Sequence, residues 1–299
     1  MKLPLRGQAR FPWVAPTRPV SVDWEEPERT LGLAYDGAWS RRRPARMTRA
    51  LFVEGVVRPL VHTVTPPEVH GADRLDNVEG PVIFAPNHNS HLDTALMLAA
   101  LPRRFRHRTV FLAAADYFFD TRWKAAASSL ALAAVPIDRS RVSRRSIDIA
   151  TGLLAEGWNA VIYPEGGRSP DRWARAFQPG AAFLSLRTGA PVVPVYLKGT
   201  GEVLGKDSSR FHPGRTAVVF GSPIAPTEGD DPRALSAQLS EAVAVLADEE
   251  ATDWWQARRR AARSDTPSLS GPEASPWRRA WARPQADRPA PSWPRERES

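Results

Sequence analysis

The sequence of 299 residues contains no cysteine. This absence excludes disulfide scaffolds, thiolate nucleophiles and metal sites held by cysteine, and it fits a reducing compartment. Lysine is scarce as well, because only four of the 41 basic residues are lysines, namely Lys2, Lys124, Lys198 and Lys206. The other basic residues are arginines, whose planar guanidinium suits bidentate binding of phosphate.

Long apolar runs are missing too. No segment reaches the roughly 18 consecutive apolar residues that a transmembrane helix requires. The longest candidate, residues 125–137, includes two serines and is typical of a buried helix that leads into a strand. Residues 1–19 lack the apolar stretch and cleavage site of a signal peptide. We therefore expect a cytoplasmic protein without a transmembrane helix, either free or peripheral on the cytoplasmic face of a membrane.

The net charge of +8 indicates an anionic partner: nucleic acid, a membrane surface or a phosphorylated small molecule. The excess lies in the flanks, since residues 1–45 carry +3, residues 254–299 carry +5 and residues 46–253 are neutral. Within the neutral part, residues 101–145 hold ten basic and three acidic residues, which predicts a basic surface for an anionic ligand. No nucleic-acid-binding motif is recognisable, so nucleic acid is not expected as a partner.

The composition divides the chain into three parts. Residues 1–45 and 254–299 are rich in Pro and Trp without periodicity, which predicts an irregular N-terminal flank and a basic, disordered tail. Residues 46–253 alternate apolar runs with amphipathic segments. This alternation predicts an α/β fold, a single layered domain with a mostly buried mixed sheet flanked by helices.

Apolar runs of four to seven residues mark the predicted strands, which are residues 81–85, 109–114, 134–137, 160–163, 191–197 and 216–220. Longer amphipathic or apolar segments mark the predicted helices, which are residues 47–63, 94–101, 123–133, 143–156, 180–187 and 232–247. Pro191 and Pro194 fall in one run, which predicts that this strand is irregular or lies at an edge of the sheet.

The segment Asn87–Asp93 follows a predicted strand and precedes a predicted helix. Ser90 and Asp93 have the spacing of a capping box, which places Ser90 at the helix N-cap and Asp93 in the first turn. From that turn the Asp93 carboxylate can reach back to His88 and fix its tautomer, so that the other ring nitrogen accepts a hydroxyl proton. Two other interpretations stay open: a cap without catalytic function, and a metal site formed by His88, His91 and Asp93.

The segment Val161–Ser169 ends a predicted strand and continues into a turn with two glycines. Glu165, Arg168 and Ser169 therefore lie at the carboxyl end of the strand, the edge at which ligands bind in α/β sheets. The Arg168 guanidinium and the N–H groups of the turn suit a phosphate. The alternative is a surface turn in which Glu165 and Arg168 pair with each other.

A third predicted strand is followed by Arg139 and then by Arg144 and Arg145. Arg139 directly follows the carboxyl end of its strand, where it would add positive charge to the same edge of the sheet. For Arg144 and Arg145, a solvated helix face is an equally good explanation.

Together these segments resemble the phospholipid and glycerol acyltransferase family, the PlsC-like enzymes that acylate lysophosphatidic acid. The run from His88 to Asp93 is similar to the family's His-x4-Asp motif. Tyr163–Ser169 is similar to its Phe-Pro-Glu-Gly-Thr-Arg-Ser motif, with Tyr for Phe and Gly167 for Thr. Residues 133–139 resemble the intervening motif that ends in Arg, without its leading Gly, and residues 190–195 resemble a hydrophobic motif that ends in Pro.

The resemblance implies an acyltransferase of the 1-acylglycerol-3-phosphate O-acyltransferase type. Such an enzyme moves a fatty acyl group from acyl-CoA or acyl carrier protein to the free hydroxyl of a lysophospholipid, most simply lysophosphatidic acid. His88 would be the general base and Asp93 would orient it, with no acyl-enzyme, no cofactor and no metal ion. The alternatives are a family member with another acceptor lipid, a basic nucleic-acid-binding protein, and a metal-dependent hydrolase.

The resemblance also assigns roles to the remaining motif residues. Those implied to bind the acceptor phosphate are Glu165, Gly166, Arg168 and, in a weaker match, Arg139. Those implied in supporting positions are Ser90, Ser169 and Pro194, the last in the wall of the pocket.

A lipid acceptor would give two further segments a role at a membrane surface. The predicted helix 47–63 would bury Leu51, Val56 and Leu60 in the interface, while the arginines on its other side, Arg46, Arg49 and Arg58, meet headgroups. Trp254 and Trp255 precede a run of arginines and have the composition of an interfacial anchor. The alternatives are a helix packed on the domain and a disordered arginine-rich tail.

Overall fold

The computed structural model describes residues 35–119, 121–137, 144–169, 171, 173–205, 210–227, 229–275 and 278–279. These residues include seven strands: β1 (Pro67–His70), β2 (Ile83–Pro86), β3 (Thr109–Ala114), β4 (Ala134–Ile137), β5 (Asn159–Val161), β6 (Val192–Lys198) and β7 (Thr216–Phe220). They form one sheet in the order β1-β7-β6-β2-β5-β3-β4. The predicted α/β fold is confirmed, and β1 is the strand that the sequence did not indicate.

The directions of the strands decide where a ligand site can form. β2, β3, β4, β5 and β6 run parallel, so their carboxyl ends meet at one edge of the sheet. β7 pairs antiparallel with β6, and β1 pairs parallel with β7. The motifs that follow β2 and β5 therefore emerge side by side at the carboxyl edge, as the sequence predicted.

Of the two expectations for the strand with Pro191 and Pro194, an edge position is wrong, because β6 is an interior strand with a partner on each side. Pro194 lies opposite Ala85 of β2, and on its other side the ladder with β7 ends at Phe220. The next residue, Gly221, donates its N–H to the Pro194 carbonyl at 2.8 Å. Antiparallel pairing resumes at the bridge between Val192 and Ile224, so two residues of β6 lie opposite three residues of the partner segment. The missing N–H of Pro194 thus falls where the strand pairing is irregular, as the second expectation stated.

The helices are α1 (Arg43–Phe52), α2 (Arg58–Val64), α3 (Leu92–Ala100), α4 (Arg103–Arg106), α5 (Ala115–Phe118), α6 (Arg122–Leu132), α7 (Arg144–Ala155), α8 (Gly180–Thr188), α9 (Thr200–Val203), α10 (Pro232–Ala251) and α11 (Trp254–Ala261), with 3-10 turns at Ala38–Arg41 and Ala72–Leu75. Each face of the sheet has its own apolar core, because successive side chains of a strand point to opposite faces. Phe84 packs with Val53 and Leu96 on the face covered by α2 and α3. Ile83 packs with Leu239 of α10 on the other face. A sheet buried on both faces leaves its carboxyl edge for a ligand.

A π-helical turn at Val53–Val57 joins α1 to α2. The apolar side chains of this segment are divided between two sides: Val53 and Val61 are buried in the core, whereas a row of others is exposed. The exposed row consists of Met47 at 68%, Leu51 at 75%, Val56 at 50% and Leu60 at 60%. The extra residue of the π-helical turn keeps this row on one side, since its members are four, five and four positions apart.

Arg49 was predicted to lie on the exposed polar side of this helix, which is wrong because Arg49 is buried. Its guanidinium donates to the carbonyls of Ser40 at 3.1 Å and Ser129 at 3.4 Å. Arg58 pairs with Glu54 one turn earlier at 2.6 Å. Among the helices that the structure describes, none combines the length and the apolar character needed to cross a membrane.

Candidate active site

The candidate site begins where β2 ends. Asn87, the next residue, is buried, and its side chain extends the sheet toward β6. Its amide donates to the Leu197 carbonyl at 3.0 Å, and its oxygen accepts the Leu197 N–H at 2.7 Å. These two hydrogen bonds fix the turn that presents His88 at the carboxyl edge. The sequence did not single out Asn87, because its partner lies 110 positions away in the chain.

His88 and Asp93 form the predicted pair. His88 Nδ1 lies 2.8 Å from Asp93 Oδ2, and the same oxygen accepts the backbone N–H groups of Asn89 at 2.7 Å and Ser90 at 2.9 Å. A carboxylate that receives these donors only accepts, so Nδ1 carries the proton and Nε2 remains to accept one. Asp93 is fully buried, whereas the His88 side chain is 18% exposed. The arrangement is that of a general base oriented by a carboxylate.

The metal interpretation of this segment requires a third ligand beside His88 and Asp93. Within the ranges that the structure describes, no three His, Asp or Glu side chains are grouped so that they could hold a metal ion. Burial and then the charge of Arg168 lower the pKa of His91, which keeps its imidazole neutral at the entrance of the site.

The predicted capping box is formed only in part. Asp93 lies in the first turn and accepts the Ser90 N–H, but the N-cap is His91, one residue later than predicted. The buried Ser90 hydroxyl accepts the Leu92 N–H at 3.1 Å and donates to the Leu204 carbonyl at 2.6 Å. Ser90 therefore supports the helix start and joins it to the segment after α9, as a supporting residue would.

Tyr163 packs against the His88 ring. The two ring centroids are 4.0 Å apart with an interplanar angle of 22°. The Tyr163 hydroxyl lies 3.2 Å from Thr94 Oγ1, within hydrogen-bonding distance. Burial and the charge of Asp93 raise the pKa of Tyr163 well above its usual value, so the phenol stays neutral. No local pattern indicated this contact, which arises because β5 pairs with β2.

Glu165 points inward and is 2% exposed. Its Oε1 accepts the His88 N–H at 2.8 Å, and its Oε2 accepts the Arg175 N–H at 2.9 Å. Burial raises the pKa of Glu165 to about 7, although these two hydrogen bonds act in the opposite direction. The interpretation as a surface turn is thus wrong for Glu165. Because both oxygens bind backbone, the geometry favours a role in holding the site over direct contact with a phosphate.

The segment after β5, which we call the glycine loop (residues 165–169, 171 and 173–175), is fixed against the turn that carries His88. Gly166 has a φ of 66°, a left-handed conformation that favours glycine, and its N–H donates to the Tyr163 carbonyl at 3.1 Å. Ser169 is buried, and its N–H donates to the His88 carbonyl at 3.0 Å. The loop therefore holds both the N–H and the C=O of His88.

A cavity of about 320 Å³ opens beside these groups. Its polar end is lined by His88, His91, Thr94, Tyr163, Gly166, Gly167, Arg168 and Arg175. Its apolar end is lined by Phe111, Leu112, Ala113, Phe118, Leu132, Ala134 and Ile137. The predicted Arg168 is thus joined by a second cation, Arg175, which the sequence did not indicate because its place depends on the fold of the glycine loop. This cavity suits a molecule with an anionic head and an apolar chain.

Two predicted site residues remain, Arg139 and Pro194. Arg139 lies outside the described residues. Pro194 is buried in β6 against Gly221 and is not among the described residues that line the cavity.

The predicted basic surface over residues 101–145 is wrong for the arginines that precede β3. They lie at the amino edge of the sheet, opposite His88, and three of them, Arg104, Arg106 and Arg108, bind protein groups. Arg104 donates to the Leu75 carbonyl, and the buried Arg106 donates to the Leu101 carbonyl at 2.8 Å and to Glu54 at 2.6 Å.

Comparison with known proteins agrees with this geometry. The family model described as "Acyltransferase" matches residues 66–198. A 1-acyl-sn-glycerol-3-phosphate acyltransferase of Chlamydomonas reinhardtii is 32% identical over 169 residues, which are 54% of this chain and 47% of that protein. A chloroplastic 1-acyl-sn-glycerol-3-phosphate acyltransferase of Arabidopsis thaliana is 29% identical over 167 residues, 54% of this chain and 44% of that protein. The chain spans about half the length of the curated relatives it matches.

A solved structure shares the fold. The crystal structure of the 1-acyl-sn-glycerophosphate acyltransferase PlsC from Thermotoga maritima has a TM-score of 0.52 to this chain, with 23% identity. The match covers 71% of this chain and 82% of that one. The matched family region, residues 66–198, contains His88, Asp93 and the glycine loop. Over this region, which is less than half of the chain, the sequence is similar to the acyltransferase family.

Proposed function

We propose that this chain moves a fatty acyl group from an acyl thioester to the free hydroxyl of a lysophospholipid, with lysophosphatidic acid as acceptor and phosphatidic acid as product. The observation that carries the proposal is the 2.8 Å contact between His88 Nδ1 and Asp93 Oδ2 at the polar end of an amphiphilic cavity. We assign the acyltransferase domain to residues 46–253.

His88 is the general base in this proposal. The acceptor hydroxyl gives its proton to Nε2 as its oxygen attacks the thioester carbonyl carbon. The imidazolium is stabilised by the Asp93 carboxylate, which the Asn89 and Ser90 N–H groups hold in place. When the tetrahedral intermediate collapses, the C–S bond breaks and the thiolate leaves with the proton from Nε2. The nucleophile comes from the substrate, which agrees with a chain that has no cysteine.

The charge and shape of the cavity support a phosphorylated lipid as acceptor. Arg168 and Arg175 line its polar end together with Gly166 and Gly167. Guanidinium groups and loop N–H groups bind phosphate oxygens well. The apolar end fits an acyl chain, and the relatives at about 30% identity are named for a phosphorylated acceptor.

A membrane surface is the source of such an acceptor, and we propose peripheral association through α1 and α2. The exposed row Met47, Leu51, Val56 and Leu60 is contiguous along one side of these helices. Exposed apolar rows on amphipathic helices insert into the boundary between headgroups and acyl chains. Trp254 and Trp255 of α11 are also half-exposed or more and stack at 5.8 Å, which suits a second contact with the interface.

A crossed assay tests the proposal. Acyl-CoA and acyl carrier protein are each offered with lysophosphatidic acid, with lysophospholipids of other headgroups and with monoacylglycerol, and products are identified by mass. We expect phosphatidic acid from lysophosphatidic acid with at least one donor. If product forms only from a lysophospholipid with another headgroup, the proposed acceptor is wrong but the reaction is still acyl transfer. Donor hydrolysis that is independent of any acceptor would contradict acyl transfer.

A further inference from the structure

The chain beyond the proposed acyltransferase domain returns to the glycine loop. Leu269 accepts the Ala174 N–H through its carbonyl at 2.9 Å. Arg279 Nε donates to Asp171 Oδ2 at 2.7 Å, and the Arg279 carbonyl accepts the indole N–H of Trp173 at 2.9 Å. Three successive described positions of the loop are therefore bound by residues about 100 positions later in the chain.

A close packing contact accompanies these hydrogen bonds. Gly271 lies against the Trp173 ring, so that a Cβ atom on it would come within 2.4 Å of a ring atom. Its φ of 69° is a left-handed conformation that side chains rarely adopt. Two independent features therefore require glycine at position 271: the left-handed backbone conformation and the lack of space for a Cβ atom beside Trp173. We call Leu269, Gly271 and Arg279 the C-terminal strap.

Two hydrogen-bonded routes lead from the strap to the backbone of His88. On the first, Arg279 binds Asp171, Asp171 Oδ1 accepts the Ser169 hydroxyl at 3.2 Å, and the Ser169 N–H donates to the His88 carbonyl at 3.0 Å. The first bond joins the strap to the glycine loop, the second lies within the loop, and the third joins the loop to the turn that carries His88.

The second route passes through the buried carboxylate. Leu269 binds the N–H of Ala174, the next residue Arg175 donates its N–H to Glu165, and Glu165 accepts the His88 N–H. The strap thus supports both sides of the turn that carries the general base. It also supports the backbone of Arg175, whose side chain lines the cavity.

We infer that the C-terminal strap positions the glycine loop for binding of the acceptor phosphate, with Gly271 and Arg279 as positioning residues; this inference rests on the proposed function. A loop with two adjacent glycines loses much conformational freedom when it closes on a ligand. Contacts that hold the loop in its binding conformation beforehand remove part of that cost and strengthen binding. The contacts described for the strap are to Asp171, Trp173 and Ala174 of the loop, so the strap acts on His88 through the loop.

Two pairs of variants test the inference. Gly271→Ala introduces the clash with Trp173, and Gly229→Ala is its matched control, because Gly229 also has a left-handed φ, of 90°, but its Cβ would meet nothing within 4 Å. Arg279→Ala removes the bond to Asp171, and Arg279→Lys keeps a donor for it. Hydrogen exchange of peptides covering residues 165–175 is measured together with KM and kcat for lysophosphatidic acid.

We expect faster exchange in the glycine loop for Gly271→Ala and Arg279→Ala, and exchange at the native rate there for Gly229→Ala. KM for lysophosphatidic acid should rise about fivefold in Arg279→Ala, the factor that matches one lost hydrogen bond, with a smaller change in kcat. Arg279→Lys should restore most of the affinity. Unchanged exchange in the loop, or an equal acceleration throughout the domain, would overturn the inference.

The exchange measurement keeps this inference separate from the proposed function. If the native protein transfers no acyl group to any acceptor, the proposed function fails. Faster exchange in the loop of the variants would then still show that the strap holds the loop. If the native protein is active and Arg279→Ala leaves both KM and exchange unchanged, the inference fails alone.

Discussion

Oε1 of Glu165 accepts the backbone N–H of His88 at 2.8 Å, so a carboxylate from one motif fixes the backbone of the other. The group is buried, and burial raises its pKa to about 7 from the usual 4.5. Glu165 therefore joins the glycine loop to the turn that carries His88. Its raised pKa makes the stability of the fold depend on pH.

Stability should therefore depend on pH through Glu165. A carboxyl group whose pKa is higher in the folded protein stabilises the fold fully below its unfolded pKa and loses that contribution as pH rises through the folded pKa. The free energy of unfolding of the native protein, relative to Glu165→Gln, should fall between pH 4.5 and about 7. The fall is at most about 3 kcal/mol. Urea unfolding of both proteins across this range measures it, and a difference independent of pH would contradict it.

Asp93→Asn should impair chemistry more than binding. The amide oxygen can still accept the Asn89 and Ser90 N–H groups, but the negative charge that stabilises the His88 imidazolium is lost. We expect kcat to fall by about 10²–10⁴ with little change in KM. The control is Asp148→Asn, which alters a surface pair with Arg187. Native kcat in Asp93→Asn would show that the pair is structural.

Arg168→Ala should weaken binding of phosphorylated acceptors. Loss of one charge-assisted hydrogen bond to the phosphate should raise KM for the acceptor about tenfold or more. Monoacylglycerol, which has no phosphate, provides the comparison within the same enzyme, and Arg187→Ala at an exposed pair is the control variant. An equal rise in KM for both acceptors would show that Arg168 supports the structure of the loop and does not recognise the phosphate.

Leu51→Glu and Leu60→Glu should weaken membrane association. Both side chains are at least 60% exposed, so the folded domain should tolerate the charge, whereas insertion into an interface would not. Phe211→Glu is the control, because Phe211 is an exposed apolar residue on another segment. Sedimentation with anionic phospholipid vesicles measures binding, and equal binding of all three variants and the native protein would contradict the proposal.

The fold was predictable where the chain carries a clear apolar run. The bounds of β3, β4 and β7 are those predicted, because each is a short, nearly uninterrupted apolar segment. β1 was missed because three of its four residues are exposed and two of them, Glu68 and His70, are polar, so no apolar run marks it. The interior position of β6 was missed because the tolerance for Pro194 depends on where its partner strand ends.

The candidate site was predictable where neighbours in sequence make the contact. His88 and Asp93 are five positions apart, so their pairing follows from a local turn. Asn87, Tyr163 and Arg175 gained their places only from contacts between distant segments, which a local pattern does not contain. The roles first assigned to Glu165 reflect the same gap, because the direction of its carboxylate is set by the fold of the loop.

The central claim is that His88 is the base that activates the acceptor hydroxyl. Transfer of the acyl group to lysophosphatidic acid by His88→Ala, beside the exposed-residue control His70→Ala and the native protein, tests it most directly. We expect His88→Ala to have the native melting temperature and no measurable transfer, and His70→Ala to transfer at the native rate. Transfer by a folded His88→Ala at the native rate would contradict it.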